Sequence, residues 1–136
     1  MKKLFSRTWK SSKQPRKQRK YRHNAPFHIL GKFVSANLSK ELKEKYGRRN
    51  FGVRTGDKVK IMRGQFRKQI GKVEKMNIKE EKVYIQGIEN IKKDGSKAFY
   101  PIHPSNLQII ELNLGDKKRK KSLETKNGKE PSKKTK

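Results

Sequence analysis

The strongest constraint on this chain is its charge: 39 Lys and Arg stand against 12 Asp and Glu, a formal +27 over 136 residues. Self-repulsion of that size opposes compaction. A polyanion relieves it, and nucleic acid is the densest polyanion in a cell. With hydrophobic residues at 29%, the core must be small and confined to one part of the sequence. The charge is uneven. Residues 1–24 carry 10 Lys/Arg and no acid, residues 115–136 carry 10 and 3, and residues 25–114 carry 19 and 9. A like-charge run cannot pack on itself. The ends therefore read as a basic N-terminal arm (1–24) and a basic C-terminal tail (115–136), extended alone and ordered on RNA.

Other acidic partners fit less well. A membrane-surface helix needs a long apolar face, and a spanning helix needs about 20 apolar residues; neither is visible. The first residues, MKKLFSRTWKSSKQ, are basic but lack the apolar stretch of a signal peptide. Cysteine is absent, which excludes disulfides and thiolate zinc sites. The expected location is the cytoplasm, with nucleolar assembly if the source is eukaryotic.

Between the arms the hydrophobic period changes. Residues 25–53 read as a helical segment and linker. Asn24 and Pro26 suit a helix start, with Phe27, Leu30 and Val34 on one face. Ser39 suits a second cap, Leu38, Leu42 and Tyr46 follow at spacing four, and Gly47 suits a stop. From residue 54 the period becomes two. Val59 and Ile61 alternate with lysines, and Val73 marks a second strand. Val83 and Ile85 mark a third, Ala98, Tyr100 and Ile102 a fourth, and residues 107–112 the last. Asp94 and Gly95 form a tight-hairpin signal. About five short strands over 54–114 predict a mainly β chain with a small barrel, short helices before it and basic arms on either side. Asp116 is a candidate cap for a helix in the tail.

The most informative stretch is RTGDKVKIMRGQFRKQIGKV, residues 54–73. It reads as turn, strand, glycine loop, strand. Gly64 suits a turn needing positive φ, and Gly71 suits a close backbone approach. Arg63, Arg67 and Lys68 lie at or between these glycines. Cations on a short loop held by a rigid barrel make a phosphate clamp. Residue types alone support an ordinary basic hairpin equally well.

This stretch resembles a KOW motif, a β-hairpin element of RNA-associated proteins. Together with LSKELKEKYG before it and FYPIHPSNLQI after it, the chain closely resembles one family over roughly residues 13–125. That family is the archaeal/eukaryotic branch of the KOW-containing large-subunit ribosomal proteins, number twenty-four in the universal scheme and twenty-six in the eukaryotic one. The resemblance implies an SH3-like barrel and no enzymatic activity or cofactor. It implies large-subunit rRNA and neighbouring ribosomal proteins as partners, and a place near the polypeptide exit tunnel. Arg63, Gly64 and Gly71 match the motif positions. The family loop commonly has a glycine after the cation that follows the aromatic residue, whereas here Arg67 is followed by Lys68.

The candidate RNA contacts are Lys13, Arg16, Lys17, Arg19, Lys20 and Arg22 of the arm. On the barrel they are Arg63, Gly64, Arg67, Lys68, Gly71, Lys72 and His103. His103, between Pro101 and Pro104, suits a turn or an RNA hydrogen bond better than catalysis. Three separate histidines without cysteine give poor support for a metal. Glu80 and Glu81 suit a turn between strands, since adjacent strand residues point to opposite faces. Trp9 and Tyr21 could stack on bases or anchor the arm, and Phe99 and Tyr100 suit the core better than a base platform, since one of them must face inward on an alternating strand. A KOW-type transcription elongation regulator is the alternative, but such proteins usually carry a further folded domain. A basic ribonuclease or RNA-modification enzyme is a third, weaker reading.

Overall fold

The computed structural model describes residues 5, 6, 8 and 12–124. The lysine–valine alternation becomes β3 (Lys58–Ile61), with Val59 and Ile61 buried and Lys58 and Lys60 facing outward. It pairs antiparallel with β4 (Ile70–Asn77), which pairs antiparallel with β5 (Lys82–Ile85). On its other side β3 pairs antiparallel with β8 (Leu107–Glu111). Register shifts at Lys58/Val59 and Val73/Lys75 bend the sheet, as bulges do. A short hairpin, β6 (Glu89–Ile91) and β7 (Lys97–Phe99), turns at Asp94 and Gly95 as the sequence suggests. Gly95 has φ +79°, and the Asp94 carboxylate accepts from the Ser96 amide and hydroxyl, which lowers its pKa. After β7 the chain returns to β5 through paired bonds between Val83 and Ile102, 2.8 and 3.0 Å.

Two further strands lie where the helical spacing predicts only helix and linker. β1 (Ser35–Leu38) and β2 (Asn50–Gly52) pair antiparallel, and β1 runs parallel to β8. The six-stranded order is β2-β1-β8-β3-β4-β5. Val34, Ala36 and Leu38 are buried and alternate with Ser35 and Asn37. This is period two, hidden because Leu38 also fits spacing four with Leu42 and Tyr46. The core joins these three side chains and Val53 to Val59, Ile61, Val73, Val83, Ile85, Ile88, Ile102, Leu107 and Ile109. The result is a small β-barrel-like domain with short helices.

Three helices precede or interrupt the first strands. α2 (Phe27–Phe33) begins after Pro26, not at an Asn24 cap. Asn24 instead ends α1 (Pro15–His23). α1 lies within the expected extended arm: Pro15 suits the first turn, and Arg, Lys and Gln are good helix formers even where charge forbids a core. α3 (Lys40–Tyr46) has the predicted limits. The Ser39 hydroxyl accepts from the Leu42 amide, and Gly47 closes the helix at φ +59°.

α4 (Lys117–Glu124) lies in the expected tail. Asp116 caps it by accepting from the Lys118 amide at 2.8 Å. This helix packs on the barrel, with Arg119 and Leu123 buried at 4% and 1% exposure. The Arg119 guanidinium donates to both oxygens of Asp57, at 2.6 and 2.7 Å, and to the carbonyls of Asn113 and Gly52. Asp57 also accepts from the amides of Arg54 and Asn113. A guanidinium can be buried when its charge is matched at two points and most of its other hydrogens find acceptors; here both terminal nitrogens are satisfied, while the buried Nε has no partner among the described residues. Asp57 supplies that match, so the basic run carries one cation that belongs to the core.

Candidate nucleic-acid interface

The β3–β4 connection, residues 62–69, is pinned by its own backbone. The Met62 amide donates to the Asn106 carbonyl, Arg67 to Gly64, Lys68 to Ile61, Gln69 to Phe66, and Ile61 to Gln69, at 2.8–3.2 Å. Gly64 turns the chain at φ +91°. Lys68 holds φ +75°, a left-handed conformation that costs a side-chain-bearing residue about 1–2 kcal/mol. This answers the departure from the family loop: Lys68 adopts a backbone conformation that suits glycine. Phe66 packs against the core and meets the Tyr100 ring edge-on, centroids 5.1 Å apart.

This scaffold leaves Arg63, Arg67 and Lys68 exposed and, among the described residues, without an ion-pair partner. At Gly71 the requirement for glycine is steric. A Cβ there would stand 2.5 Å from Ile85 Cγ2 and 2.8 Å from the Gln86 carbonyl oxygen. Lys72 is exposed on β4, opposite Lys58.

His103 lies in the turn leading to the short 3-10 helix Pro104–Asn106. Its Nδ1 pairs with the Ser105 hydroxyl at 2.8 Å and its Nε2 with a Glu81 carboxylate oxygen at 3.2 Å. The same Glu81 oxygen lies 3.3 Å from Arg22. Glu81 is 9% exposed and closes the β4–β5 turn at φ +54°, so the acid joins α1 to the barrel through Arg22. Arg22 also lies over the Phe33 ring at 5.5 Å. Two predicted RNA contacts, Arg22 and His103, therefore converge on one internal carboxylate. Arg16, Lys17, Arg19 and Lys20 are spread along α1 with Lys13 just before it, and all five are exposed. Tyr21 packs against Phe5 and Phe33, at 4.8 and 6.1 Å between centroids, which favours the anchoring role; Trp9 lies outside the described residues.

A cleft of about 230 Å³ separates the β3–β4 loop from the 101–106 turn. Arg63, Phe66, Lys82, Tyr100, His103 and Asn106 line it. Only Arg63 and His103 of these were singled out as contacts from sequence. Phe66 and Asn106 stand inside the two stretches that carry the family resemblance, but nothing local shows that the stretches meet. The tail helix was expected from its Asp116 cap, but not its docking on the barrel. Its Lys117, Lys118 and Lys120 are exposed beside buried Arg119. The available signal for that docking was the four-residue spacing of Arg119 and Leu123.

Among the described residues no cluster of His, Asp and Glu could hold a metal, and no helix is long and apolar enough to cross a membrane.

A family model that describes the ribosomal proteins L26 of eukaryotes and L24 of archaea matches residues 12–126. The large ribosomal subunit protein uL24 of Methanosphaera stadtmanae is 49% identical over 115 residues, covering 85% of this chain and 98% of that relative. The matched span runs from the start of α1 through α4, so it includes the loop, the turn and the buried Arg119. With a barrel-like core and pinned basic loop lying inside that span, the chain belongs to the family of the eukaryotic L26 and archaeal L24 ribosomal proteins.

Proposed function

We propose that this protein is a structural constituent of the large ribosomal subunit in the cytoplasm, binding rRNA through the β3–β4 loop and the exposed cations of α1. The reading rests on one observation: Arg63, Arg67 and Lys68 are exposed and without an ion-pair partner among the described residues, on a loop held by five backbone hydrogen bonds. Preorganised cations lose less entropy on binding than cations on a mobile chain. Arginine adds two-point contacts to phosphate. Such contacts position the protein on RNA without reading sequence. Lys117, Lys118 and Lys120 give a second set of rigid cations, because Arg119 holds α4 to the barrel.

The relative from Methanosphaera stadtmanae is a large-subunit protein by name, and the same assignment here includes neighbouring ribosomal proteins as partners and a place near the exit tunnel. Early binding would support subunit assembly. Titration of a large-subunit rRNA fragment at several salt concentrations tests the reading. Log affinity should fall linearly with log salt, by about 0.7–0.9 per phosphate contacted. Affinity independent of salt would refute it.

A further inference from the structure

We propose that the cleft between the β3–β4 loop and the 101–106 turn takes one unstacked nucleotide of the bound RNA, with Asn106 reading its base as adenine. The proposal rests on the RNA-binding reading and goes beyond it, because phosphate contacts carry no sequence information.

Three features of the cleft point to a base. Its volume, about 230 Å³, suits a small planar group. Phe66 and Tyr100, each partly buried, give it an aromatic wall. Unpaired RNA bases stack on such side chains. Arg63 and Lys82 line the same cleft and have no ion-pair partner among the described residues, so cations stand ready for the attached phosphate.

Asn106 supplies the discrimination. Its backbone is fully used, the amide donating to the His103 carbonyl at 3.0 Å and the carbonyl accepting from Met62 at 2.8 Å. Its side-chain carboxamide makes no hydrogen bond among the described residues, although the residue is only partly exposed. A rigid backbone therefore holds a free donor and a free acceptor, side by side, on a residue that lines the cleft. On the Hoogsteen edge that pair matches the N6 donor and N7 acceptor of adenine, whereas uracil offers only the O4 acceptor there. His103 is held by Ser105 and Glu81, so it shapes the wall and leaves the reading to Asn106.

The test uses the full chain and fluorescein-labelled hexa-adenylate and hexa-uridylate at one fixed salt concentration. Hexa-adenylate should bind about tenfold tighter, the size of one good two-point base contact. Amide and side-chain NMR signals of Phe66, Tyr100 and Asn106 should shift with it. Asn106→Ala should bring the two affinities together by weakening hexa-adenylate binding about tenfold. The fold should survive that change, since the side chain bonds to nothing described. Equal affinities in the wild type overturn the base-reading proposal while phosphate binding stands. A preference that survives Asn106→Ala also overturns it. Failure of both oligomers to bind at low salt overturns the RNA-binding reading as well.

Discussion

Asp57 and Arg119 form a two-point ion pair, at 2.6 and 2.7 Å, with side chains 0% and 2% exposed. The pair joins the start of β3 to α4 and places the Arg119 guanidinium 5.3 Å from the centre of the Phe51 ring. Removing one member leaves the other charge buried without its match. Arg119→Ala should therefore destabilise the protein by about 3–5 kcal/mol, a large part of a small domain's total. Lysine cannot copy the two-point geometry, so Arg119→Lys should recover little. Urea unfolding monitored by circular dichroism measures both.

Lys68 gives a prediction of opposite sign. Its φ of +75° suits glycine. Relief of about 1–2 kcal/mol of backbone cost, less about 0.4–1 kcal/mol for the more flexible unfolded chain, makes Lys68→Gly mildly stabilising. Lys68→Ala keeps the unfavourable conformation and should not stabilise. Thermal unfolding of the two variants separates backbone conformation from charge.

The glycines at 71 and 31 should respond oppositely. At Gly71 a Cβ meets Ile85 and the Gln86 backbone within 2.8 Å, so Gly71→Ala should cost about 1–3 kcal/mol, as overpacking does. At Gly31, within α2, a Cβ meets nothing within 4 Å. Gly31→Ala should gain about 0.5–1 kcal/mol from helix propensity. Denaturant midpoints measured side by side would show it.

The Asp116 carboxyl titrates below its usual range, held down first by the Arg54 side chain and then by the Lys118 amide. A depressed pKa in the folded state means that the contribution to α4 is complete above the ordinary carboxylate range. It is lost as pH falls through the lowered value. In a carbon-detected NMR titration the Asp116 inflection should lie below that of an unpaired aspartate. Arg54→Ala should move it upward. An inflection unmoved by Arg54→Ala would contradict the pairing.

Much of the barrel was legible because alternation of burial is local. Val59, Ile61, Val83 and Ile85 announce their strands, and Ser39, Gly47 and Asp116 announce helix ends. The loop glycines were legible for the same reason. What was not legible depends on distant partners. Arg119 sits in the run KKRKK, and its partner is 62 residues away, so charge alone read it as solvated. Glu81 read as a turn residue between strands, which it is, but only the fold brings Arg22 and His103 to it. The cleft needed Phe66 and Asn106 to be neighbours, which only the completed sheet arranges.

The most direct measurement of the clamp compares positioned with unpositioned charge. It is the affinity of single variants for a large-subunit rRNA fragment at fixed salt, each first shown to be folded. Arg63→Ala and Arg67→Ala remove cations from the pinned loop, and Lys133→Ala removes one from the C-terminal basic run outside the described residues. A loop arginine in contact with phosphate should cost about 1.5–3 kcal/mol, the range for charged hydrogen bonds, or roughly 10- to 150-fold in Kd. Lys133→Ala should be near neutral. Equal losses at all three positions would show that total charge alone binds RNA, and would contradict the positioned clamp.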